Sequence, residues 1–361
     1  MKKVIFIFFV LLVFSCKEKE KIFNGDIVII SSPAEGIPLS GDELKLDGIY
    51  TEALGVYDSL IYFSSGLFGD YMTYVFNTKT GKHISSVARH GQGPDEFVAL
   101  TSADQHYVDS SSICEWSYYD YNKKECLLID MANNSIKKRF SISKLKNERA
   151  FPFGRVFILS DSLLLAFNQG DDIYDEGILA PPSYQIFNYL TNEEVAKYEI
   201  YNSFRYNKRL EPVLCLYSQD RMKPDRTKVA MGLHYLRQIN IMDIETGKVT
   251  GYRVENTPDF DILTENSAFE YVSYYLWTCV DDDYIFALLS NNDKTSTVID
   301  VFDWNGNFRK ELVLDKGIIN SSSIGIDPVN KYLYIITEGE EEEVVYRYDV
   351  SYLYQHLRQK K

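Results

Sequence analysis

Short runs in which apolar and polar residues alternate cover most of the chain, and polar turns separate these runs. Alternation with a period of two is typical of β-strands that have one face buried and one face exposed. No long segment shows the 3.6-residue period of an amphipathic helix. The pattern therefore predicts an all-β protein.

One unit of this pattern recurs. An apolar strand ends at Asn or Asp, a short polar turn follows, and a second strand begins, most clearly at 74–82, 241–248 and 301–307. The residues that end these strands lie at intervals of 53, 58, 55, 60 and 46 positions: Asn77, Asp130, Asn188, Asp243, Asp303 and Asp349. Their side chains suit an Asx-type turn, in which a following Gly or Asn takes a positive φ. Repeats of about fifty residues with several strands each predict a six-bladed β-propeller. The alternative is a sandwich of unrelated edge strands.

The sixth repeat lacks an outer strand, because only a short tail follows Asp349. Near the other end of the chain, residues 27–30 form an apolar strand with no partner before the first repeat. We predict that this strand completes the last blade and closes the ring, which removes exposed strand edges. The propeller then covers residues 27–350, and residues 351–361 form a C-terminal tail.

The first sixteen residues have the pattern of an export signal. Lys2 and Lys3 precede an apolar run over 4–14, which is shorter than the ~20 residues that a membrane-spanning helix needs. The run ends in Val13-Phe14-Ser15-Cys16, which resembles the bacterial lipobox, where the Cys is lipidated and becomes the anchor. We therefore predict a signal peptide over 1–15, a lipid on Cys16 and a charged tether over 16–26. The alternative is an ordinary secretory signal with a chance Cys.

Composition supports strands and limits the partners. The chain has 28 Tyr and 21 Phe, residues that favour the pleated surface of a sheet. Its formal net charge is −14, and −16 once Lys2 and Lys3 leave with the signal. An acidic surface repels phosphate backbones and anionic headgroups, so nucleic acid is not an expected partner. We expect the lipid alone to hold the protein on the membrane.

Four cysteines follow Cys16. Cys215 and Cys279 lie in apolar surroundings and are expected to be small buried residues. Cys114 and Cys126 flank a turn near Asp120, and a hairpin there would place them roughly opposite one another. An exported compartment permits a disulfide between them, although sequence does not fix the register.

The most distinctive stretch is Arg89-His90-Gly91-Gln92-Gly93-Pro94-Asp95-Glu96-Phe97, between the outer strand of the first repeat and the inner strand of the second. The glycines and the proline suit a tight crossover between blades, and Phe97 is expected to pack between them. We name Arg89, His90, Asp95 and Glu96 as candidate ligand-binding residues at the central channel. The alternative is that Glu96 and Arg89 only tie the crossover to its blade.

Residues 91–97 resemble the Gly-x-Gly-Pro-Gly-Glu-Phe crossover of the six-bladed propeller lipoproteins of Bacteroidetes, the TolB-like and NHL-like group, with Asp95 in place of the usual Gly. With the spaced turns and the lipobox, the resemblance covers nearly the whole chain. It implies a six-bladed fold and an outer-membrane lipoprotein of the cell envelope, facing either the periplasm or the cell surface. It implies no established activity, and a propeller fold does not supply one.

The common catalytic motifs are absent from the sequence. No two of the five histidines, His83, His90, His106, His234 and His356, have metal-ligand spacing, and no nucleophile elbow or phosphate-binding loop occurs. Residues 171–177 are acidic enough to bind calcium but lack the strict alternation of a calcium loop, so a solvated loop is favoured. We predict a binding or scaffold protein, without a cofactor, for a protein, peptide or glycan. The alternative is a calcium-dependent hydrolase or lactonase that uses Asp95, Glu96 and Asn168 as ligands.

Overall fold

The first part of the chain supplies three short strands to sheets that later residues build. The computed structural model describes residues 21–49, 53–64, 69–108, 114–142, 155–168, 171–173, 177–210, 215–268, 272–290, 296–315, 321–338 and 343–355. The three strands are β1 (Asp26–Ile30), β2 (Ile37–Leu39) and β3 (Asp42–Leu44). The predicted lipid anchor at Cys16 lies outside the described residues.

Six antiparallel sheets follow in chain order and form the six blades of a β-propeller. Blade 1 contains β4 (Ala53–Tyr57), β5 (Leu60–Ser64), β6 (Tyr71–Asn77) and β7 (His83–Arg89). Blade 2 contains β8 (Leu100–Val108), β9 (Cys114–Asp120), β10 (Glu125–Asp130) and β11 (Ser135–Ser141). Blade 3 contains β12 (Arg155–Ile158) and β13 (Leu163–Asn168), followed after an insertion by β16 (Ser183–Asn188) and β17 (Glu193–Glu199).

The insertion in blade 3 forms a small sheet of its own. Its strands are β14 (Asp171–Ile173) and β15 (Ile178–Ala180), and β18 (Phe204–Arg205) from the next crossover pairs with β15. The expected solvated loop at 171–177 is thus partly wrong, because its first three residues belong to a paired strand.

The remaining blades complete the ring. Blade 4 contains β19 (Ser218–Met222), β20 (Lys228–Leu233), β21 (Gln238–Asp243) and β22 (Val249–Val254). Blade 5 contains β23 (Tyr275–Val280), β24 (Tyr284–Leu289), β25 (Thr297–Asp303) and β26 (Phe308–Leu314). Blade 6 contains β27 (Ser321–Asp327), β28 (Tyr332–Glu338) and β29 (Glu343–Asp349). Two short 3₁₀-helices are η1 (Phe260–Leu263) and η2 (Ser351–Tyr354), and within the described ranges no helix is long and apolar enough to cross a bilayer.

Burial along the strands explains why the blades stack. Residues of the middle strands β20 and β24 are buried on both faces, because a blade lies on either side of them. The outer strand β17 instead alternates between exposed and partly buried residues. The large apolar clusters lie between neighbouring blades, where side chains from facing sheets interdigitate.

The ring closes through the N-terminal segment, but not through the strand that the sequence predicts. Strand β3 pairs antiparallel with β29 and supplies the missing outer strand of blade 6. Strand β1, which includes the predicted residues 27–30, instead pairs in parallel with β22 on the outer edge of blade 4. Strand β2 pairs in parallel with β26 of blade 5. The segment therefore follows the rim past three blades before blade 1 begins.

The six predicted turns are confirmed as Asx turns. In each, a side-chain oxygen accepts hydrogen bonds from backbone N–H groups two to four residues further on. The accepting residues are Asn77, Asp130, Asn188, Asp243, Asp303 and Asp349.

A polar contact also spans each of the six junctions between blades. It joins Thr73 to Tyr118 (3.2 Å), Gln105 to the backbone of Ile158 (2.9 and 3.0 Å), Tyr184 to Asp220 (2.7 Å), Arg237 to Asp300 (2.7 and 2.8 Å), Lys331 to Asp281 (3.1 Å), and the backbone of Asp58 and Ser59 to Asp327 (3.2 and 3.4 Å). Because a buried polar group costs free energy unless it is paired, these contacts favour one rotation of each blade on the next.

Replacement of Leu44, the buried residue of β3, should destabilise the whole ring. Leu44 in β3 is 8% exposed and packs with Leu54 and Val345. Leu44→Ala should lower the free energy of unfolding by about 2–3 kcal/mol, since it removes buried methyl groups and leaves a cavity. Ile29→Ala in β1, where the side chain is 59% exposed, should change it by less than about 0.5 kcal/mol. Chemical denaturation of both variants tests this, and equal effects would contradict closure by β3.

Candidate functional site

The crossover between blades 1 and 2 is a closed loop fixed by backbone hydrogen bonds. The N–H of Phe97 donates to the carbonyl of Arg89 at 2.8 Å, and the N–H of Gly91 donates to the carbonyl of Phe97 at 3.0 Å. Gly91 has φ +155°, and a Cβ there would lie 2.0 Å from the carboxylate of Glu96. Phe97 is buried in the apolar cluster between the two blades, as predicted.

Lys123, from the turn between β9 and β10, holds the crossover to blade 2. Its Nζ donates to three carbonyl oxygens of the loop: those of Gly93 (3.1 Å), Pro94 (2.9 Å) and Glu96 (2.7 Å). The ammonium group also lies 4.7 Å from the centre of the Phe97 ring, within cation–π range. The crossover is therefore a rigid part of the blade junction.

The four candidate residues have different surroundings. Glu96 accepts a hydrogen bond from the N–H of Gly93 at 3.0 Å and lies 3.8 Å from the guanidinium of Arg89, so both residues tie the loop to blade 1. Asp95 pairs with Arg139 at 3.0 Å. The Nε2 atom of His90 is shielded from solvent and has no hydrogen-bond partner among the described residues. The side chains of Arg89 and Asp95 remain 64% and 83% exposed.

A groove of about 470 Å³ lies beside the crossover, between blades 1 and 2. This volume falls within the range of small-ligand sites. Its walls include Arg89 and Asp95 together with an aromatic, an amide and several apolar side chains: Tyr71, Ala88, Phe97, Ile129, Asn134 and Ile136. The groove thus offers a cation, an anion and an aromatic ring over an apolar floor.

The central channel is narrow, and the four candidate residues are not among those that line it. Its open space is about 30 Å³, which is room for only about two or three water molecules. Apart from Trp116 in β9, the lining residues come from the innermost strands: Leu54, Gly55, Val56, His106, Trp116, Arg221, Trp277, Cys279, Val280, Ile324, Gly325 and Ile326. The expectation that Arg89, His90, Asp95 and Glu96 line this channel is wrong. They follow the outer strand β7, whereas the channel is bounded by the strands at the centre of the ring.

Two charged or titratable side chains help to fill the channel. Arg221 is 2% exposed, and its guanidinium lies 5.1 Å from the ring centre of Trp277. His106 lies 4.9 Å from the ring of Tyr57 and 5.4 Å from that of Trp116. Burial lowers the pKa of His106 to about 4, against the raising effect of Asp327. The imidazole is therefore neutral at physiological pH.

Sequence reasoning misses a second polar cluster, which lies in blade 4 and in the crossovers before and after it. The Nε2 atom of His234 and the hydroxyl of Ser273 are 3.1 Å apart, and the His234 ring packs against Tyr217 and Tyr235. The hydroxyl of Tyr217 accepts a hydrogen bond from Gln219 at 2.7 Å. The long crossovers on both sides of blade 4 are the one sequence feature that points to this region.

The predicted disulfide between Cys114 and Cys126 does not form. Cys126 is a free, buried thiol, and its backbone partner across the hairpin is Tyr119. Cys114 is five positions from Tyr119 along β9, which corresponds to about 16 Å of strand and exceeds the reach of a disulfide. Burial raises the pKa of the Cys126 thiol. Cys215 and Cys279 are buried, as predicted.

The oxygens proposed for a calcium site belong to separate parts of the ring. Asp95 and Glu96 lie in the crossover between blades 1 and 2, whereas Asn168 ends β13 in blade 3 opposite Ser183. Among the described residues, no three His, Cys, Asp or Glu side chains come close enough to hold a metal ion.

Comparison with known proteins shows the class of fold. No protein-family model matches the chain, and no curated protein matches it. A solved structure of a candidate exported protein from Bacteroides fragilis is similar over 89% of this chain and 98% of its own, with a TM-score of 0.56 and 14% identity. A member of the DUF4221 family from Bacteroides vulgatus is similar over 89% and 97%, with a TM-score of 0.53 and 12% identity. At these identities the likeness shows a shared fold, and this chain is a six-bladed β-propeller.

Loss of the Lys123 ammonium should loosen the crossover. Lys123→Met keeps much of the side chain's length but leaves three carbonyl oxygens without their donor. We therefore expect the free energy of unfolding to fall by about 1–3 kcal/mol. Hydrogen exchange at residues 90–97 should accelerate relative to the wild type. Lys124→Met, an exposed neighbour in the same turn, is the control and should leave this exchange unchanged. Similar exchange in both variants would show that the hydrogen bonds of Lys123 do not hold the crossover.

His106 should make stability depend on pH. The unfolded chain takes up a proton near pH 6.5, while the native imidazole does so only near pH 4. Stability contributed by the neutral ring is therefore complete above about pH 6.5 and is lost as pH falls towards 4, by at most about 3 kcal/mol. Urea unfolding at several pH values should show a shallower decline for His106→Phe than for the wild type. Parallel declines would contradict the buried, neutral state of His106.

Proposed function

We propose that the protein is a membrane-anchored lipoprotein whose propeller acts as a non-enzymatic binding or scaffold module for a protein, peptide or glycan. The observation that carries this proposal is the contrast between the filled channel and the open groove. About 30 Å³ at the centre admits no substrate, while about 470 Å³ beside the crossover suits part of a larger ligand.

The groove residues support binding more than chemistry. Arg89 and Asp95 are both highly exposed, so a partner can pair with them without first displacing buried protein contacts. Tyr71 supplies a partly exposed ring, and Asn134 supplies an amide. Such a mixture suits a peptide, which offers charges and amides, or a glycan, which offers hydroxyls and stacks on aromatic rings.

The rigid backbone under the groove favours the same conclusion. The loop that carries Arg89, His90, Asp95 and Glu96 is already held by Lys123 and by its own backbone hydrogen bonds. A site that is ordered before binding loses little conformational entropy when a partner docks. We therefore propose this loop as one wall of the ligand-binding surface, with Arg89 and Asp95 facing the groove and His90 and Glu96 supporting them.

The lipid anchor is the second part of the proposal. The lipobox-like sequence that ends at Cys16 supports it, as does similarity in fold to a candidate exported protein. Mass spectrometry of the mature protein should find acyl groups on residue 16, and Cys16→Ser should move the protein from the detergent phase to the aqueous phase. An unmodified Cys16 in the mature protein would refute the anchor.

Ligand binding should depend on the groove. A panel of oligosaccharides and extended peptides can be screened by thermal shift, and hits titrated against variants. Arg89→Met should weaken binding several-fold, because it removes the exposed cation of the groove wall. Lys82→Met is a matched control, because Lys82 is an exposed cation just before the start of the same strand, β7. If hits bind both variants as they bind the wild type, the binding surface lies elsewhere. His234→Ala would then test the second polar cluster.

A further inference from the structure

The first described residues are fixed to the rim of the propeller. Ile22 and Phe23 are both 3% exposed, and the ring of Phe23 stacks on that of Phe260 at 5.5 Å. Backbone hydrogen bonds join Asn24 to Ile200 at 2.8 Å and Asn202 to Ile22 at 2.7 Å. The chain therefore meets the folded ring at the outer end of blade 3, beside blade 4.

This attachment leaves little chain between the propeller and Cys16. Residue 21 is five positions after residue 16, and five fully extended residues span at most about 18 Å. A lipid on Cys16 would then keep the rim of blades 3 and 4 within about 18 Å of the bilayer surface. Blades on the far side of the ring are under no such restraint.

The same rim carries an exposed apolar strand. In β1, Ile27, Val28 and Ile29 are 41%, 43% and 59% exposed. Among the residues that the structure describes, strand β1 pairs only with β22, so its other edge ends the sheet. The acidic residue of the strand, Asp26, lies 3.5 Å from the ammonium group of Lys248.

Exposed apolar side chains are concentrated in this part of the molecule. Of the eight large ones in the described residues, three lie on β1, and Leu190 and Val195 lie at the outer edge of blade 3. The remaining three are spread over blades 1, 2 and 6: Ile84, Val98 and Val329. Neighbouring exposed apolar residues mark surfaces that contact a protein or a membrane.

We propose that the rim formed by β1 lies against the lipid bilayer that carries the anchor, with Ile27, Val28 and Ile29 inserted among the headgroups. The inference rests on the proposed lipid at Cys16. Burial of these side chains removes apolar surface from water at the place to which the short tether confines them. The acyl chains supply the affinity, and the strand sets the orientation.

This contact would fix how the propeller faces its surroundings. Because β1 is the outermost strand of a blade, contact along it places the propeller on its edge, with the channel axis along the membrane plane. Both faces of the ring then remain open to partners. The groove between blades 1 and 2 is on a different part of the ring and stays accessible.

Fluorescence from an added tryptophan tests the contact. Lipidated full-length Val28→Trp protein is reconstituted in phosphatidylcholine vesicles, with and without bromine on the acyl chains. Its additional fluorescence should shift to the blue on reconstitution and be quenched by the brominated chains. Val329→Trp is the control, because Val329 is 50% exposed but lies in a turn of blade 6, and its fluorescence should be unchanged. The signal of the wild type, whose tryptophans are 116, 277 and 304, is subtracted.

Each outcome decides a separate point. Vesicle-bound protein with acyl groups on Cys16 but no quenching in Val28→Trp, or equal quenching in both variants, overturns the rim contact and leaves the anchor intact. An unmodified Cys16 refutes the anchor itself. A blue shift that depends on protein concentration in the absence of vesicles would show that a second copy covers β1, which also overturns the proposal. Ile29→Trp replaces Val28→Trp if the latter fails to fold.

Discussion

Closure of the ring is the constraint on which the rest of the structure depends. A sheet of three strands at the end of blade 6 would leave one edge open and one blade interface incomplete, and β3 fills that place by pairing with β29. Because β3 comes from the beginning of the chain, the two ends of the propeller are held together by strand hydrogen bonds. Blades 4 and 5 also gain an extra strand from the same segment, so one stretch of chain links three outer edges.

Apolar packing alone would let neighbouring blades slide, since hydrophobic contact has little directionality. The polar contacts between blades limit that freedom. Asp300 illustrates the effect: two nitrogens of Arg237 and the hydroxyl of Tyr275 all reach its carboxylate. Burial disfavours the charge on Arg237, but hydrogen bonding and charge from Asp300 raise its pKa above the usual range. Burial also raises the pKa of the Asp300 carboxyl, against the lowering effect of Arg237. Displacement of one blade would leave these buried groups without their partners, which is costly.

Local features of this fold could be predicted from sequence, and long-range pairing could not. The Asx turns are confirmed because Asn or Asp acts within four residues of itself. The predicted pairing of β1 with blade 6 is wrong, because an apolar run does not specify which distant edge it meets. The predicted disulfide is wrong for a related reason: the turn after Asp120 sets the register that places Cys126 opposite Tyr119. Arg221 and His106 have no distinctive sequence context, and only the closed ring brings them together in the channel.

The crossover shows how a structural motif and a binding surface can share residues. Glu96 faces inward to the N–H of Gly93, and Phe97 is buried between blades, so these positions serve the fold. Arg89 and Asp95 come from the same short loop but point to the groove, where they are mostly exposed. A rigid loop presents such side chains at fixed positions, and the filled channel makes the ring under them stiff as well. Variation at the two exposed positions would remove only the exposed ion pairs with Glu96 and Arg139, because Lys123 and the backbone hydrogen bonds still hold the loop. Such variation can therefore alter what the groove accepts while the main contacts of the blade junction remain.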